Sequence, residues 1–173
     1  MPANVEIKAR VRSSARIKEL AEALANTSSH LIEQEDVFFV VPRGRLKLRI
    51  FSSSSAELIY YEREDQPGPK ESRYSISPTS EPDSLKAVLQ MSLGIRGVVR
   101  KQRTLYVVGQ TRIHLDEVEG LGSFVELEVV MRTNQSHVDA VQIARRLMAR
   151  LEIQDSDLIE PAYIDLLLAD RMR

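Results

Sequence analysis

Glu126 and Glu128, in Phe124-Val125-Glu126-Leu127-Glu128, stand at a spacing that an extended strand projects to one face. Neighbouring carboxylates repel unless a positive charge lies between them, and a hard divalent cation with its preference for oxygen ligands supplies one. Asp116, in Arg112-Ile113-His114-Leu115-Asp116, adds an acid, and Glu6, in Asn4-Val5-Glu6-Ile7-Lys8-Ala9-Arg10-Val11-Arg12, adds another. One face of that first strand reads Asn, Glu, Lys, Arg, Arg and the other Val, Ile, Ala, Val. Cations follow the same alternation. Arg45, Lys47 and Arg49 interleave with Leu46, Leu48 and Ile50; Lys101 and Arg103 follow Val99; Arg112 shares a face with His114 and Asp116. If these strands close into a barrel with the charged face inward, the interior holds many cations and a few carboxylates. That suits a polyphosphate with its metal. His114 reads as a hydrogen-bonding neighbour within this set. His30, His137, Arg145-Arg146 and the terminal Arg171-Met172-Arg173 read as ordinary solvated polar residues.

The elements that must hold these side chains are mostly short strands. Alternation predicts strands over 4–12, 35–41, 45–51, 56–64, 70–77, 97–109, 111–118 and 122–131. Pro42-Arg43-Gly44, Gly109-Gln110 and Gly120-Leu121-Gly122 are turns, and the loop 65–69, Asp-Gln-Pro-Gly-Pro, cannot continue a ladder. Pro78 is expected to end the strand before it. Helical spacing of Ile17, Leu20, Ala21 and Leu24 predicts a helix over 14–25, and Pro82 suits the first turn of a second, ending near 93. A third covers 136–151 behind Ser136, and a last one 161–171. Many antiparallel strands with a few helices make this an α+β chain.

Composition narrows the partners. The 173 residues suit one domain, 1–173, large enough for a core. Lys plus Arg number 24 against 25 Asp plus Glu, so bulk charge gives no footprint for nucleic acid or an anionic membrane surface. The absence of cysteine excludes disulfides and thiolate metal sites. No long apolar run or leader-like segment is present, so a cytoplasmic location is the expectation. The glycines lie in turns, and no Walker-type phosphate loop occurs.

Taken together, these motifs resemble the CYTH, or triphosphate tunnel metalloenzyme, family, which carries a Glu-x-Glu-x-Lys first strand and a late Glu-x-Glu strand. Asn4-Val5-Glu6-Ile7-Lys8 stands at the first and Phe124-Val125-Glu126-Leu127-Glu128 at the second. LIYYEREDQPGPKESRY (58–74), VRKQRTLYVVGQTRIHLDEVEGLGSFVELEVV (99–130) and AYIDLLL (162–168) look most like the class IV adenylate cyclase branch. The resemblance covers nearly the whole chain. It implies a closed antiparallel β-barrel of about eight strands with flanking helices, whose tunnel binds a triphosphate with Mg²⁺ or Mn²⁺. Glu6, Asp116, Glu126 and Glu128 would hold the metal. Arg10, Lys47, Arg49, Arg63, Lys70, Lys101, Arg103 and Arg112 would hold the phosphates. Lys8 stands at the family position linked to activating or positioning the reacting centre. Asn4 departs from the pattern, offering an amide oxygen without charge where the family has a carboxylate, which puts a second metal in question. The expected partner is a small-molecule triphosphate or nucleotide, without nucleic acid or membrane; a homodimer stays open. Metal-dependent hydrolysis of a triphosphate is the leading expectation. Class IV-type cyclisation of ATP to cyclic AMP and pyrophosphate is the alternative, and a noncatalytic polyphosphate or nucleotide binder is a third.

Overall fold

A computed structural model of the chain describes residues 1–66 and 68–173; Pro67, inside the expected 65–69 loop, lies outside the described residues. The strands are β1 (Ala3–Arg10), β2 (His30–Phe39), β3 (Arg45–Ser52), β4 (Ser55–Arg63), β5 (Lys70–Thr79), β6 (Ile95–Val108), β7 (Thr111–Val118) and β8 (Gly122–Val130). They close into an antiparallel barrel in the order β1-β5-β4-β3-β2-β6-β7-β8. The helices are α1 (Ser14–Leu24), α2 (Pro82–Leu93), α3 (His137–Arg150) and α4 (Tyr163–Arg171). The expected α+β barrel with flanking helices is the observed architecture.

The period-two pattern dictates an inverted wall, with charge inside and the oil outside. Val5, Ile7 and Ala9 of β1, Ile113 of β7, and Val125, Leu127 and Val129 of β8 point outward and are buried under α1 and α3. Those helices offer Ile17 and Ala21, and Ala140, Ala144, Leu147 and Met148, at helical spacing. Ser13 and Ser136 cap them, each hydroxyl accepting a backbone N–H of the first turn. Under α2, Leu85 and Leu89 pack on Val37, Phe39, Leu48 and Ala56. α4 closes one end of the barrel, where Tyr163 and Ile164 pack with Phe38, Val99, Val118 and Phe124. Gly97 permits this approach, since a Cβ there would collide with Ile164.

Two boundaries differ from expectation for physical reasons. β2 begins at His30 rather than residue 35, pairing with β6 from His30↔Leu105 onward. No helix covers its outer face there, and Leu31 stays 65% exposed, so the local alternation carries no burial signal. β5 runs through Pro78 to Thr79, with Pro78 opposite Glu57 of β4. β1 meets β5 only over residues 70–73, so at Pro78 the strand has a neighbour on the β4 side alone and its missing N–H breaks no ladder there.

Candidate functional site

Strand register assembles the site. Lys8 of β1 stands opposite Glu126 of β8, which stands opposite His114 of β7. Alongside runs a second row, Glu6 opposite Glu128 opposite Arg112. Both rows face the barrel interior with Lys101 and Arg103 from β6, Lys47 and Arg49 from β3, and Tyr61 and Arg63 from β4. They line a cavity of about 280 Å³, with seven Lys and Arg side chains against five carboxylates among its described walls. The interior is therefore net positive before any ligand arrives.

Two buried acids organise the cations. Asp116 accepts from Arg103 Nε and Nη2 at 2.7 Å each, from Lys101 Nζ at 3.3 Å and from the Tyr163 hydroxyl at 3.0 Å. Burial alone would raise its pKa, but Arg103 and Lys101 overcome this and hold it well below the usual carboxylate range. On the other side of β6, Asp36 of β2 accepts from Arg49 Nε at 2.9 Å, from Arg49 Nη2 at 2.9 Å and from Lys47 Nζ at 3.0 Å. It too is held down against its burial, by Arg49 and Lys47. Each acid fixes two cationic heads at defined positions without neutralising both.

The remaining acids stand closer to the cavity. Glu126 lies 3.4 Å from Lys8 Nζ and 2.9 Å from Arg103 Nη2. Its burial is outweighed by Lys8, Lys101 and Arg103, which hold it well below the usual range. Glu6 behaves oppositely. Burial and the facing Glu128 push its pKa up, with Arg63 at 3.4 Å opposing. Glu6 is thus short of positive charge, whereas the burial of Glu128 is outweighed by His114, Arg112 and Arg103, which hold its pKa down. Burial lowers Lys8 to about 8 and Lys47 to about 7. Lys8 also lies over the Tyr163 ring, 4.0 Å from its centroid.

Of the residues expected from sequence, Glu6, Lys8, Lys47, Arg49, Arg63, Lys101, Arg103, Arg112, Glu126 and Glu128 line the cavity together. Three expected residues lie elsewhere. Asp116 is buried behind the lining, its carboxylate taken up by Lys101, Arg103 and Tyr163 rather than joined to the other acids. Lys70 is buried, but its ammonium donates to the carbonyls of Glu160 at 2.8 Å and Gln66 at 3.2 Å, so it ties the closed end together. Arg10 is exposed, 5.4 Å from the Phe124 ring centroid. The inward face of β1 continues to Arg10, but Phe124 and Tyr163, 5.0 Å apart, plug the barrel at that end.

Asp36 and Tyr163 also line the cavity, and the sequence reading passes over them. Asp36 carried one usable signal, an acid preceding the apolar run Val37-Phe38-Phe39 in a strand. Tyr163 carried none, because its place depends on how α4 folds back onto the barrel.

Three side chains lining the cavity carry buried polar atoms with no hydrogen-bond partner: Arg63 Nε and Nη2, Asn4 Oδ1 and His114 Nδ1; Thr111 Oγ1 is a further such atom outside the cavity. Buried polar atoms are nearly always paired in folded proteins, so such orphans at a cavity mark the places a ligand would satisfy. One group among the described residues could hold a metal ion: ligand atoms of His114, Glu126 and Glu128 lie within 4.8 Å of one another. The carboxylate oxygens of Glu126 and Glu128, with Glu6 facing Glu128, are hard anionic donors that fit a divalent cation. Among the described residues, no helix is long and apolar enough to cross a membrane.

Known structures share this barrel. The PH1012 protein from Pyrococcus horikoshii superposes with a TM-score of 0.83 at 26% identity, covering 94% of this chain and 98% of that one. An adenylate cyclase candidate from Vibrio parahaemolyticus aligns with a TM-score of 0.75 at 20% identity, over 95% of this chain and 97% of its own. HpAC1 from Hippeastrum, a cyclase candidate with a dominant triphosphatase activity, aligns with a TM-score of 0.66 at 17% identity, over 96% of each chain. No curated protein matches the sequence. The CYTH domain family model matches residues 2–163, nearly the whole chain, and the barrel with its inward acidic and basic rows is what that sequence match predicts: the chain belongs to the CYTH domain family.

Proposed function

We propose that this protein is a metal-dependent phosphohydrolase acting on a triphosphate-containing substrate held in the barrel. The observation that carries this reading is the Arg63 guanidinium, whose side chain is 6% exposed, with Nε and Nη2 lacking hydrogen-bond partners while lining a cavity of net positive charge. A buried guanidinium with open donors is suited to planar, bidentate contact with phosphate oxygens. Lys47 and Arg49 of β3 and Lys101 and Arg103 of β6, the strands on either side of β2, present further cations to the same space.

A divalent metal at the carboxylates would supply charge neutralisation to the phosphates. The chain's own groups do the rest. The cationic walls align the phosphate chain and stabilise charge on the transferred phosphoryl group. Lys8, with a pKa of about 8, is partly neutral near neutral pH and takes the proton of the attacking water. Water adds to the terminal phosphorus, the bridging P–O bond breaks, and orthophosphate leaves with the shortened chain carrying the electron pair. The dominant triphosphatase activity of HpAC1, whose barrel is similar, supports this reading.

A cyclase reading is favoured by one feature. Phe51, Tyr74 and Ile76 line the cavity with their apolar surfaces, and Phe51 and Ile76 are 38% and 46% exposed, a surface suited to a nucleobase. ATP, inorganic triphosphate and thiamine triphosphate, each incubated with Mg²⁺ or Mn²⁺, separate the two readings when orthophosphate, pyrophosphate and cyclic AMP are all quantified. Orthophosphate as the main product is expected. Cyclic AMP as the main product from ATP replaces hydrolase with cyclase, and no turnover of any substrate refutes both.

A further inference from the structure

The unpartnered imidazole on β7 points to the kind of metal this barrel takes. His114 is 4% exposed, and its Nδ1 has no hydrogen-bond partner. That atom lies 3.8 Å from Glu126 Oε2 and 3.9 Å from Glu128 Oε1. Both separations are too long for a hydrogen bond. They are close to what a shared cation requires. Metal–ligand bonds of about 2.0–2.1 Å place neighbouring ligand atoms roughly 3.0–3.4 Å apart, so the two imidazole–carboxylate separations close by about half an ångström or slightly more around an ion, and all three ligand atoms already lie within 4.8 Å of one another. Register leaves little freedom to avoid it, since His114 and Glu126 are cross-strand partners and Glu128 is the next inward residue of the same strand.

We propose that His114 Nδ1 is a metal ligand alongside Glu126 and Glu128, and that this mixed nitrogen–oxygen site takes a first-row transition dication in preference to Mg²⁺, before any triphosphate binds. The proposal deepens the phosphohydrolase reading and rests on it for the metal's purpose, though not for its binding. At a mixed nitrogen–oxygen site affinity rises from Mn²⁺ through Co²⁺ and Ni²⁺ to Cu²⁺ and falls again at Zn²⁺, and imidazole suits the later members of that series best, whereas Mg²⁺ holds to oxygen ligands and keeps several waters. A neutral imidazole carrying its proton on Nε2 leaves the Nδ1 lone pair directed at the two carboxylates. Arg103, 2.9 Å from Glu126 Oε2, and Arg112, 3.0 Å from Glu128 Oε2, hold oxygens of the same two side chains and fix their orientation. The oxygen of Glu128 nearest to His114 is not the one that Arg112 holds. Asn4 sharpens the preference: with an uncharged residue at that position, the barrel has fewer hard anionic ligands to offer Mg²⁺.

The test uses the full chain freed of metal by chelation, with no nucleotide present. Mn²⁺ is added and pulsed electron paramagnetic resonance is used to look for coupling to a directly bound ¹⁴N nucleus. Calorimetry in parallel compares Mn²⁺, Co²⁺ and Mg²⁺. The expected result is a ¹⁴N coupling in the wild type, with Mn²⁺ and Co²⁺ binding at least tenfold more tightly than Mg²⁺. In His114→Leu the coupling disappears and Co²⁺ affinity falls tenfold or more, while Mg²⁺ affinity stays within twofold. Absence of nitrogen coupling in the Mn²⁺-loaded wild type, no metal binding without triphosphate, or equal losses for all three metals in His114→Leu overturns the proposal. The wild-type spectrum decides even if the variant fails to fold. Nitrogen coupling without turnover of any triphosphate leaves the ligand set standing and removes the hydrolase reading instead.

Discussion

Replacing Asp36 with Asn leaves its shape in place and removes the one carboxylate that Lys47 and Arg49 share. Asp36 is 2% exposed and its two oxygens take three charge-assisted bonds of 2.9–3.0 Å. Removing one member of a buried ion-pair network costs about 3–5 kcal/mol, because the partners keep their desolvation penalty without its compensation. For a chain of this length that corresponds to a fall in Tm of roughly 6–20 °C. The two cations do not share the loss equally. Lys47 already sits at about 7, with Asp36 among the influences raising it; without that carboxylate its pKa falls further and it sheds its proton. Arg49 cannot do so. The penalty in Asp36→Asn is therefore larger at pH 6, where Lys47 is forced to stay charged for longer, than at pH 8.5, where it is neutral. Urea unfolding followed by circular dichroism at both pH values measures this directly. Arg49→Met in the Asp36→Asn background restores part of the lost stability, since it removes the cation that cannot discharge. Inorganic triphosphate raises the Tm of Asp36→Asn by more than it raises that of the wild type, because the anion takes over the missing charge. A loss below about 1 kcal/mol, identical at both pH values and with no gain in ligand response, refutes the argument that Asp36 holds the cations of this wall.

Lys47→Ala with Arg49→Ala removes most of the thermal shift produced by triphosphate plus metal, which for the wild type is about 2.7 kcal/mol at one hundred times the dissociation constant; an undiminished shift places the anion elsewhere. Glu126→Gln and Glu128→Gln each lower metal-dependent turnover on the order of a hundredfold, read as initial rates at saturating metal, and full activity in both moves the metal to other residues. Lys47 and Lys8, lowered to about 7 and 8, are largely neutral in the free protein above those values, and a bound polyanion raises them again. Triphosphate binding at pH 8 accordingly takes up protons and weakens as pH rises further; calorimetry in two buffers of different ionisation enthalpy shows it, and zero uptake counts against contact with these amines. Asn4→Glu tightens Mn²⁺ and Mg²⁺ binding by placing a carboxylate next to Glu6 on the inward face of β1, and superimposable titration curves exclude position 4 from the metal's surroundings.

The inward charge rows were legible because a strand's period of two is local. Lys47 and Arg49, Lys101 and Arg103, and Glu126 and Glu128 are each spaced for one face, and the apolar residues between them state which face is covered. What was not legible depends on closure in three dimensions. Arg10 lies in phase with Lys8, yet the Phe124–Tyr163 plug leaves it outside the cavity. Lys70 lies opposite Glu6, yet the carbonyls of Gln66 and Glu160 claim its ammonium. Asp116 has the spacing of a metal ligand, but its depth puts it among cations. His114 reads in sequence as a hydrogen-bonding neighbour, whereas its Nδ1 has no such partner in the fold. For Arg10 and Asp116 the missing information was depth in the barrel, and for Lys70 and His114 it was which groups the fold brings against them.

The cylinder has one short weld. β1 meets β8 through seven register pairs, from Asn4↔Val130 to Arg10↔Phe124, but meets β5 through only four, from Ala3↔Arg73 to Glu6↔Lys70. Partial openings begin where the fewest interactions must be released, so amide protons along this weld should exchange with deuterium sooner than those between β7 and β8. Glu6 stands on one side of the weld, and Arg63 on the strand beyond β5 reaches across to it at 3.4 Å. A polyanion gripped by Arg63 and by Lys8 of β1 would span the same gap from within. Substrate then acts as a clasp on the barrel wall, and its arrival should be recorded in the backbone as slowed exchange at Ala3–Glu6 and Lys70–Arg73 before any product forms.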